Sequence, residues 1–564
     1  MTHKGGSAPW FFNPAFLPLN RKPYSEIIPP LENSSSMSDH LYGRFRCAGE
    51  KYPERPALEV GGQVLTYREL DAQARSIAGT IQANDLSGHP MVAFLAYRSV
   101  GAYASVLGIL AAGKGYVPLH PQFPAARTRR MLEFSQAEIL IVSTEGLPAL
   151  HQILCEFNAP LTIVCLESAD ANDLRSRYPQ HRVIANEPGE DVATPPILPD
   201  SVAYLLFTSG STGTPKGVPI SQRNATSYVE YVNGRYRFTP RDRFSQTFDM
   251  TFDLSVHDMF VSWSNGACLC SLPQSAVMAP AKFIRSNKLT AWFSVPSVGM
   301  FLQRMRLLTP DSFPTLRLSL FCGEPLPAPI ASAWQQAAPN SIVENLYGPT
   351  EATIAISHYR WQAGISESES VHGIVPIGTI FSTQDCCVVD SQRGILGRQE
   401  AGELCLSGSQ VASGYLNNPE KSAEQFVRIA GTPPGSVWYR TGDLVRRDEQ
   451  GCLYYLGRID NQVQVRGYRV ELQEVDHVLR EAAGSDMAVA VAWPPDSGHA
   501  DTLYAFICGG QRERPSVVAH CKKVLPEYMV PRDVFFIPEM PLNANGKIDR
   551  PALTRRLGEL LNGQ

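Results

Sequence analysis

Four short stretches carry side chains suited to handling a nucleoside triphosphate. Thr208-Ser-Gly-Ser-Thr-Gly-Thr-Pro-Lys-Gly217 interleaves hydroxyls with glycines and ends on a lysine, directly after the apolar run Val202–Phe207. A Gly-rich turn after a strand lets backbone N–H groups converge on phosphate, and Ser/Thr hydroxyls donate further hydrogen bonds. The order Gly-x-x-x-x-Gly-Lys-Ser/Thr is missing, so this is not a Walker A loop. Asn345-Leu-Tyr-Gly-Pro-Thr-Glu351 places an aromatic face, a Gly-Pro turn, a hydroxyl and a carboxylate within seven residues. The ring of Tyr347 can stack on a purine, Asn345 can read its edge, and Thr350 can reach a phosphate oxygen. Glu351 can hold Mg²⁺, which favours carboxylate and phosphate oxygens together. Standing alone, a capped turn with a buried tyrosine accounts for the same residues equally well. Asp443, in Tyr439-Arg-Thr-Gly-Asp443, can accept two ribose hydroxyls, and Arg458, in Gly457-Arg-Ile-Asp460, can reach the same sugar or the α-phosphate. The plainer reading of those two is a surface ion pair of small worth. Lys547, on the Asn-Gly turn of Pro541-Leu-Asn-Ala-Asn-Gly-Lys547, has no assignable role from its surroundings alone.

These stretches must be held by a chain of 564 residues, which is long enough for more than one core. Hydrophobic residues make up 44% and charged ones 18%, and the net charge is only −4, which does not suggest a nucleic-acid-binding or membrane-binding surface. The twelve cysteines are scattered without paired CxxC sets, so reduced thiols are expected rather than zinc or a disulfide framework. No sustained apolar stretch marks a secretory leader or a membrane span, and a cytoplasmic protein is expected. Residues 1–40 read as an arm rich in Pro, Asn and Ser. From about residue 41 strand-like runs (Met91–Ala96, Glu138–Val142, Leu161–Cys165, Ala203–Phe207) alternate with helix-like runs (Tyr67–Ala83, Val100–Ala112, Ala126–Phe134). That alternation predicts α/β layering on a largely parallel sheet. Short β-rich stretches follow at Asp385–Val389, Gly402–Ser407 and Cys452–Leu456. The pattern changes near Gly457–Asp460, so the division expected is a core at 41–458 and a small α+β domain at 459–564.

Taken together, in this order and spacing, these motifs resemble those of the adenylate-forming superfamily: peptide-synthetase adenylation domains, acyl-CoA synthetases and luciferases. Leu65-Thr-Tyr-Arg-Glu-Leu70, Gly115-Tyr-Val-Pro-Leu119, Gly402-Glu-Leu-Cys-Leu406, Gly414-Tyr-Leu416 and Arg466-Gly-Tyr-Arg-Val-Glu-Leu472 add to the likeness, which runs from about residue 40 to the end. The resemblance implies a large N-terminal part of layered sheets with a small β-barrel, and a mobile C-terminal lid. It implies two half-reactions. A carboxylate attacks the α-phosphate of Mg²⁺-ATP to give an acyl-adenylate and pyrophosphate; a thiol then displaces AMP. By the same resemblance, Thr208, Ser209, Gly210, Ser211, Thr212, Gly213, Gly323, Glu324, Asn345, Tyr347, Gly348, Thr350, Asp443, Tyr455 and Arg458 bind the nucleotide. Thr208 and Lys216 assist catalysis, Glu351 binds the metal, Lys547 bridges the acid and the α-phosphate, and Asp460 is the hinge of the lid.

Asp253, in Phe252-Asp-Leu-Ser-Val-His-Asp-Met-Phe260, matches the aspartate that pairs with the α-ammonium in amino-acid-activating members, a position where fatty-acid and aryl-acid members lack it. A buried ammonium needs an opposite charge; an N-capping role is the simpler alternative. Leu254, His257, Ser294, Leu320, Cys322, Leu346, Ile354 and Ala355 match the rest of the family's substrate pocket and imply a small, neutral amino acid. Phe321-Cys-Gly-Glu-Pro-Leu and Tyr347-Gly-Pro-Thr-Glu-Ala-Thr353 are similar to stand-alone D-alanine–carrier-protein ligases, but His257 and Leu346 stand where Met and Thr are expected in those enzymes. The larger Leu346 narrows the pocket toward glycine, as in the glycine–carrier-protein ligases of lipid A modification. Gln464 stands where many members carry the lysine of the thioester-forming step. No Leu-Gly-Gly-x-Ser carrier motif and no His-His-x-x-x-Asp-Gly motif is found, so the expected acceptor is the phosphopantetheine arm of a separate carrier protein. The alternatives are a D-alanine or other small-amino-acid ligase of a peptide-synthetase pathway, an acyl-CoA synthetase, which Asp253 opposes, and a non-catalytic nucleotide-binding protein, which the intact set of polar residues opposes.

Overall fold

The computed structural model describes residues 39–187, 193–209, 215–460, 462–495, 500–510, 512–542 and 548–562. Nearly all of the N-terminal arm, Gly210, Ser211, Thr212 and Gly213 of the phosphate loop, and Lys547 lie outside them.

The body begins at the helix Leu41–Lys51, capped by His40. Several helix starts follow from local side-chain chemistry. Thr66 and Glu69 form a reciprocal capping box ahead of Tyr67–Asn84, and Ser221 and Asn224 form another ahead of Gln222–Tyr236, each satisfying backbone donors that a helix leaves open. Val100–Ala111 is apolar on nearly every face, and it is buried along most of its length as a core helix should be.

Two large sheets carry the body. The first runs Arg182–Ala185, Thr162–Cys165, Ile139–Val142, Met91–Leu95, Gly115–Leu119, Val202–Thr208 and Lys216–Ser221; only its last pair is antiparallel. Strands such as Met91–Leu95 and Ile139–Val142 are buried on both faces, which explains their continuous apolar runs. The second sheet has Ile342–Tyr347, Leu318–Phe321, Ala291–Ser294, Arg243–Gln246 and Cys268–Ser271 as parallel neighbours, with antiparallel pairs at both edges. A third sheet, expected as a small barrel, is antiparallel and built from Gln384–Val389, Ala401–Gly408, Trp438–Arg447, Phe426–Val427 and Leu453–Arg458; among the described residues its ladder does not close on itself.

Beyond Arg458 the hairpin Gln462–Val465/Tyr468–Glu471 leads into the helix Leu472–Ala483 and a three-stranded sheet of Ala488–Trp493, Thr502–Cys508 and Asp533–Ile537. This part has apolar cores of its own, around Val475, Leu479, Ala505 and Val517 on one face and Phe506, Leu553 and Leu557 on the other. The chain is therefore mixed α/β, with a large N-terminal part and a small C-terminal lid. Among the described residues no helix is long and apolar enough to cross a membrane.

Candidate active site

A cavity of about 360 Å³ opens where the C-terminal ends of both large sheets, the third sheet and the lid meet. One end of it is built from strand termini. Tyr347, at the end of Ile342–Tyr347, donates its hydroxyl hydrogen to Asp443 Oδ2. Asp443 Oδ1 accepts from Arg458 Nη1 at 2.7 Å, across the register pair of Trp438–Arg447 and Leu453–Arg458. Gly442, at φ 72°, takes the left-handed turn beside them, where a Cβ would stand 2.7 Å from Arg458 Nη2. Tyr455, Gly348, Gly323 and Glu324 also line the cavity, and Glu324 Oε2 accepts from Ser297 N at 2.7 Å. Asn345 turns its amide nitrogen to Pro376 O at 2.9 Å and leaves Oδ1 buried without a partner among the described residues. Thr208 Oγ1 is likewise buried and unpartnered there. Two polar atoms left open at one cavity fit a polar ligand that completes them.

Thr208 and Lys216 face each other in register at the mouth of the loop hairpin. The lid strand Tyr468–Glu471 lies across that mouth. Ser209 Oγ donates to Arg469 O at 2.9 Å and accepts from Glu471 N at 3.0 Å. Lys216 Nζ, buried, meets Glu471 Oε1 at 3.3 Å, and burial with the nearby Arg469 guanidinium lowers its pKa. Glu351 is fully buried: Arg469 Nη1 reaches its Oε2 at 2.9 Å and the Tyr415 hydroxyl its Oε1 at 2.8 Å. Burial works against its charge, but Arg469, Lys216 and Tyr415 outweigh that and hold the carboxyl down at about 2. Neither Lys216 nor Glu351 lines the open cavity, because the lid covers both. Sequence reasoning missed Arg469 and Glu471 as partners of these groups. Both sit in the quoted Arg466–Leu472 motif, but nothing in a linear sequence places that motif on the phosphate loop.

Asp253, Leu254, Cys322, Leu346 and Ile354, expected to bind the acid, all lie on the cavity wall. Asp253 precedes the helix Leu254–Ser264, yet its side chain makes no capping bond. Its Oδ2 accepts from Ile354 N at 3.1 Å instead. Burial raises its pKa to about 6, with the Glu351 charge adding to the rise and hydrogen bonds from Ile354, Leu254 and Thr350 opposing it. His257, Ser294, Leu320 and Ala355 are buried but do not line the cavity. His257 Nδ1 pairs with the Tyr228 hydroxyl at 2.7 Å, and burial lowers its pKa to about 3, so it is a neutral backing wall. Ser294 Oγ accepts from Trp292 Nε1 at 2.9 Å. At the hinge position, Asp460 is held by Arg458 Nε at 2.9 Å and Nη2 at 2.6 Å.

A strand-end cavity with an aromatic–carboxylate–guanidinium set, a Gly-rich hairpin and a lid is the arrangement of an adenylate-forming enzyme. The AMP-binding enzyme family model matches residues 45–416, and the AMP-binding enzyme C-terminal domain model matches 474–547. The chain belongs to the AMP-binding enzyme family, and its cofactors are ATP and Mg²⁺. It is 33% identical over 527 residues to Tyrocidine synthase 3 of Brevibacillus parabrevis, covering 93% of this chain but 8% of that protein. Over 527 residues it is 32% identical to the L-proline--[L-prolyl-carrier protein] ligase of Pseudomonas fluorescens, covering 92% of this chain and 99% of that one. The crystal structure of the Vibrio cholerae adenylation domain AlmE in complex with glycyl-adenosine-5'-phosphate matches with a TM-score of 0.84 at 32% identity, over 94% of this chain and 100% of that one.

The donor set fits these cofactors. Among the described residues no group of three His, Cys, Asp or Glu forms a metal cage. One carboxylate, Glu351, suits a Mg²⁺ that arrives on phosphates and keeps its waters. In this pose the carboxylate is paired with Arg469 of the lid.

Proposed function

We propose that this protein activates a small amino acid, glycine above others, as its adenylate and passes it to the phosphopantetheine thiol of a separate carrier protein. The observation that carries this reading is the Asp253 carboxylate, buried on the wall of the cavity and released from helix capping. An anion so placed needs a cation, and the α-ammonium of an amino acid supplies it. Leu346 and Ile354 line the same cavity, and their apolar bulk favours a substrate with a small side chain. The similarity to an adenylation domain solved with glycyl-adenosine-5'-phosphate and to a prolyl-carrier ligase supports the same class.

In this reading Asp253 holds the ammonium, and Tyr347, Asn345, Asp443 and Arg458 hold the nucleoside. Thr208, Ser209, Gly210, Ser211, Thr212, Gly213 and Lys216 serve the phosphates, with Gly323, Glu324, Gly348, Thr350 and Tyr455 shaping the nucleotide pocket. Lys547 brings a positive charge to the acid and the α-phosphate in a second lid pose, with Asp460 as hinge between a core at 41–458 and a lid at 459–564. Such charges stabilise the negative charge that develops during attack, while Mg²⁺ supplies Lewis-acid polarisation of phosphate oxygens. We extend the proposal to a cytoplasmic enzyme serving lipid A glycylation, on the sequence resemblance.

ATP–pyrophosphate exchange with a panel of amino acids tests the reading. Glycine should drive exchange fastest. D-alanine, L-alanine or serine clearly outrunning it removes the glycine assignment, and absence of exchange with every amino acid removes the class. Comparing coenzyme A with a phosphopantetheinylated carrier as acceptor separates this reading from an acyl-CoA synthetase.

A further inference from the structure

Away from the cavity, Arg127 and Glu474 form an ion pair between body and lid. Arg127 lies on the helix Ala125–Ser135, and Glu474 lies in the first turn of the lid helix Leu472–Ala483. Arg127 Nη1 meets Glu474 Oε1 at 2.7 Å, with the side chains 7% and 2% exposed. Neither residue lines the cavity. A buried pair of opposite charges is satisfied only in one docking register; any other arrangement leaves each charge short of a partner or returns it to water.

The pair is also mechanically connected to the active site. Glu474 is three residues beyond Glu471, which holds Lys216. The ring of Tyr468, on the same hairpin, stacks on Tyr528 at 3.8 Å and meets Phe252 edge-on at 4.8 Å. Phe252 directly precedes Asp253. Between them, Gly467 at φ 83° passes so close to Val295 that a Cβ would stand 2.6 Å from its Cγ1. Phe252 and Tyr528, both on the cavity wall, thus grip the hairpin, and Glu474 lies on the helix that directly follows it.

In this pose the lid occupies Ser209, Lys216 and Glu351, the same groups that a magnesium triphosphate would use. Under the proposed two-step reaction, groups already paired in this way suit the step after pyrophosphate has left, when a thiol acceptor attacks. We infer that Arg127 and Glu474 are positioning residues that select this lid pose, so that the pair serves thiol transfer and not adenylate formation. The inference rests on the proposed two-step reaction for its catalytic consequence, while the docking role stands on geometry alone.

The test uses the full-length chain with Arg127→Met, Glu474→Gln and the reversed pair Arg127→Glu/Glu474→Arg. Amide hydrogen exchange over residues 466–474 without ligand reads the docking. ATP–pyrophosphate exchange reads the first half-reaction, with whichever amino acid works best in the unmodified protein. Transfer of that activated amino acid to free pantetheine reads the second. In the single variants, amide exchange should quicken about tenfold, as for a locally opened element. Pyrophosphate exchange should stay within about twofold while transfer falls about tenfold, and the reversed pair should recover most of both losses. Unchanged amide exchange overturns the docking role. Faster amide exchange with unimpaired transfer overturns the link to the second step. Equal slowing of both half-reactions with a lower Tm and no recovery in the reversed pair also overturns it, since that pattern marks a general packing defect. If no amino acid supports exchange in the unmodified protein, the proposed function fails, while the hydrogen-exchange comparison still decides the docking role.

Discussion

Asp253 is a carboxylate held where it is costly to keep charged. Its pKa rises from 3.8 to about 6 because burial removes the water that would stabilise the anion. A carboxyl raised in the folded state stabilises fully below pH 3.8, and that contribution is lost as pH rises through about 6, at a cost of about 3 kcal/mol. Asp253→Asn should therefore raise Tm at pH 8 relative to the unmodified protein, with little difference at pH 4, in a calorimetric pH series. The same change should lower amino-acid-dependent pyrophosphate exchange by about 100-fold or more, because the ammonium loses its counter-charge. In the unmodified protein, the apparent KM for the amino acid should climb as pH falls below about 6, where the carboxyl takes up a proton. A flat KM between pH 5 and pH 7.5 would separate Asp253 from ammonium binding. The neutral, buried His257 cannot produce that profile, since burial places its own titration near 3.

At the scale of elements, one turn aims the acid pocket. Thr353 and Ile354 sit consecutively at φ 58° and 73°, a region costly for β-branched residues. This strained turn points Ile354 N–H at Asp253. It is held from behind by fully buried Gln410, whose amide nitrogen donates to Ala355 O at 2.8 Å and, at longer range, to Thr353 O and Ala352 O; Gln410 O accepts from Thr353 Oγ1. Gln410→Leu keeps the bulk and removes the side-chain donor to Ala355 O and Ala352 O, a loss of about 1–3 kcal/mol. The expected result is a KM for the amino acid raised about tenfold with the KM for ATP little changed, read by steady-state exchange. An equal rise in both would place the effect in the nucleotide pocket instead.

At the scale of the whole molecule, body and lid share one charge network. Glu351 belongs to the body and Arg469 to the lid. Although burial opposes ionisation, Arg469 and Lys216 hold the Glu351 pKa at about 2 against 4.5 when unperturbed. A lowered carboxyl stabilises fully above 4.5, and the contribution is lost as pH falls through about 2, amounting to about 3 kcal/mol. Acidification should loosen lid docking progressively below pH 4.5, measured by small-angle scattering or hydrogen exchange at the hairpin Gln462–Glu471. Arg469→Met should be loosened already at pH 7 and respond less to acid. An acid response identical in both proteins would show that this pair does not govern docking.

Local chemistry was legible in the amino-acid order. The strand before the phosphate loop and the helices at Tyr67–Asn84 and Val100–Ala111 follow from apolar period, to within a residue at each end. Three strands of the third sheet were visible too, but its longest, Trp438–Arg447, and the short Phe426–Val427 were not, nor how far the ladder closes. The family resemblance that the motifs carry implied that Tyr347, Asp443, Arg458 and Asp253 share one site, and the fold brings all four to the walls of one cavity. Which charge meets which could not be read there. Arg127 and Glu474 are 347 residues apart, and Lys216 and Glu471 are 255 apart. Neither pair has any local pattern, because a Coulomb contact depends on distance in space and not along the chain. Only the tertiary structure decided that His257 stands behind the cavity wall, that Asp253 makes no bond capping its helix, and that Arg469 and Glu471 of the lid meet Glu351 and Lys216 of the body.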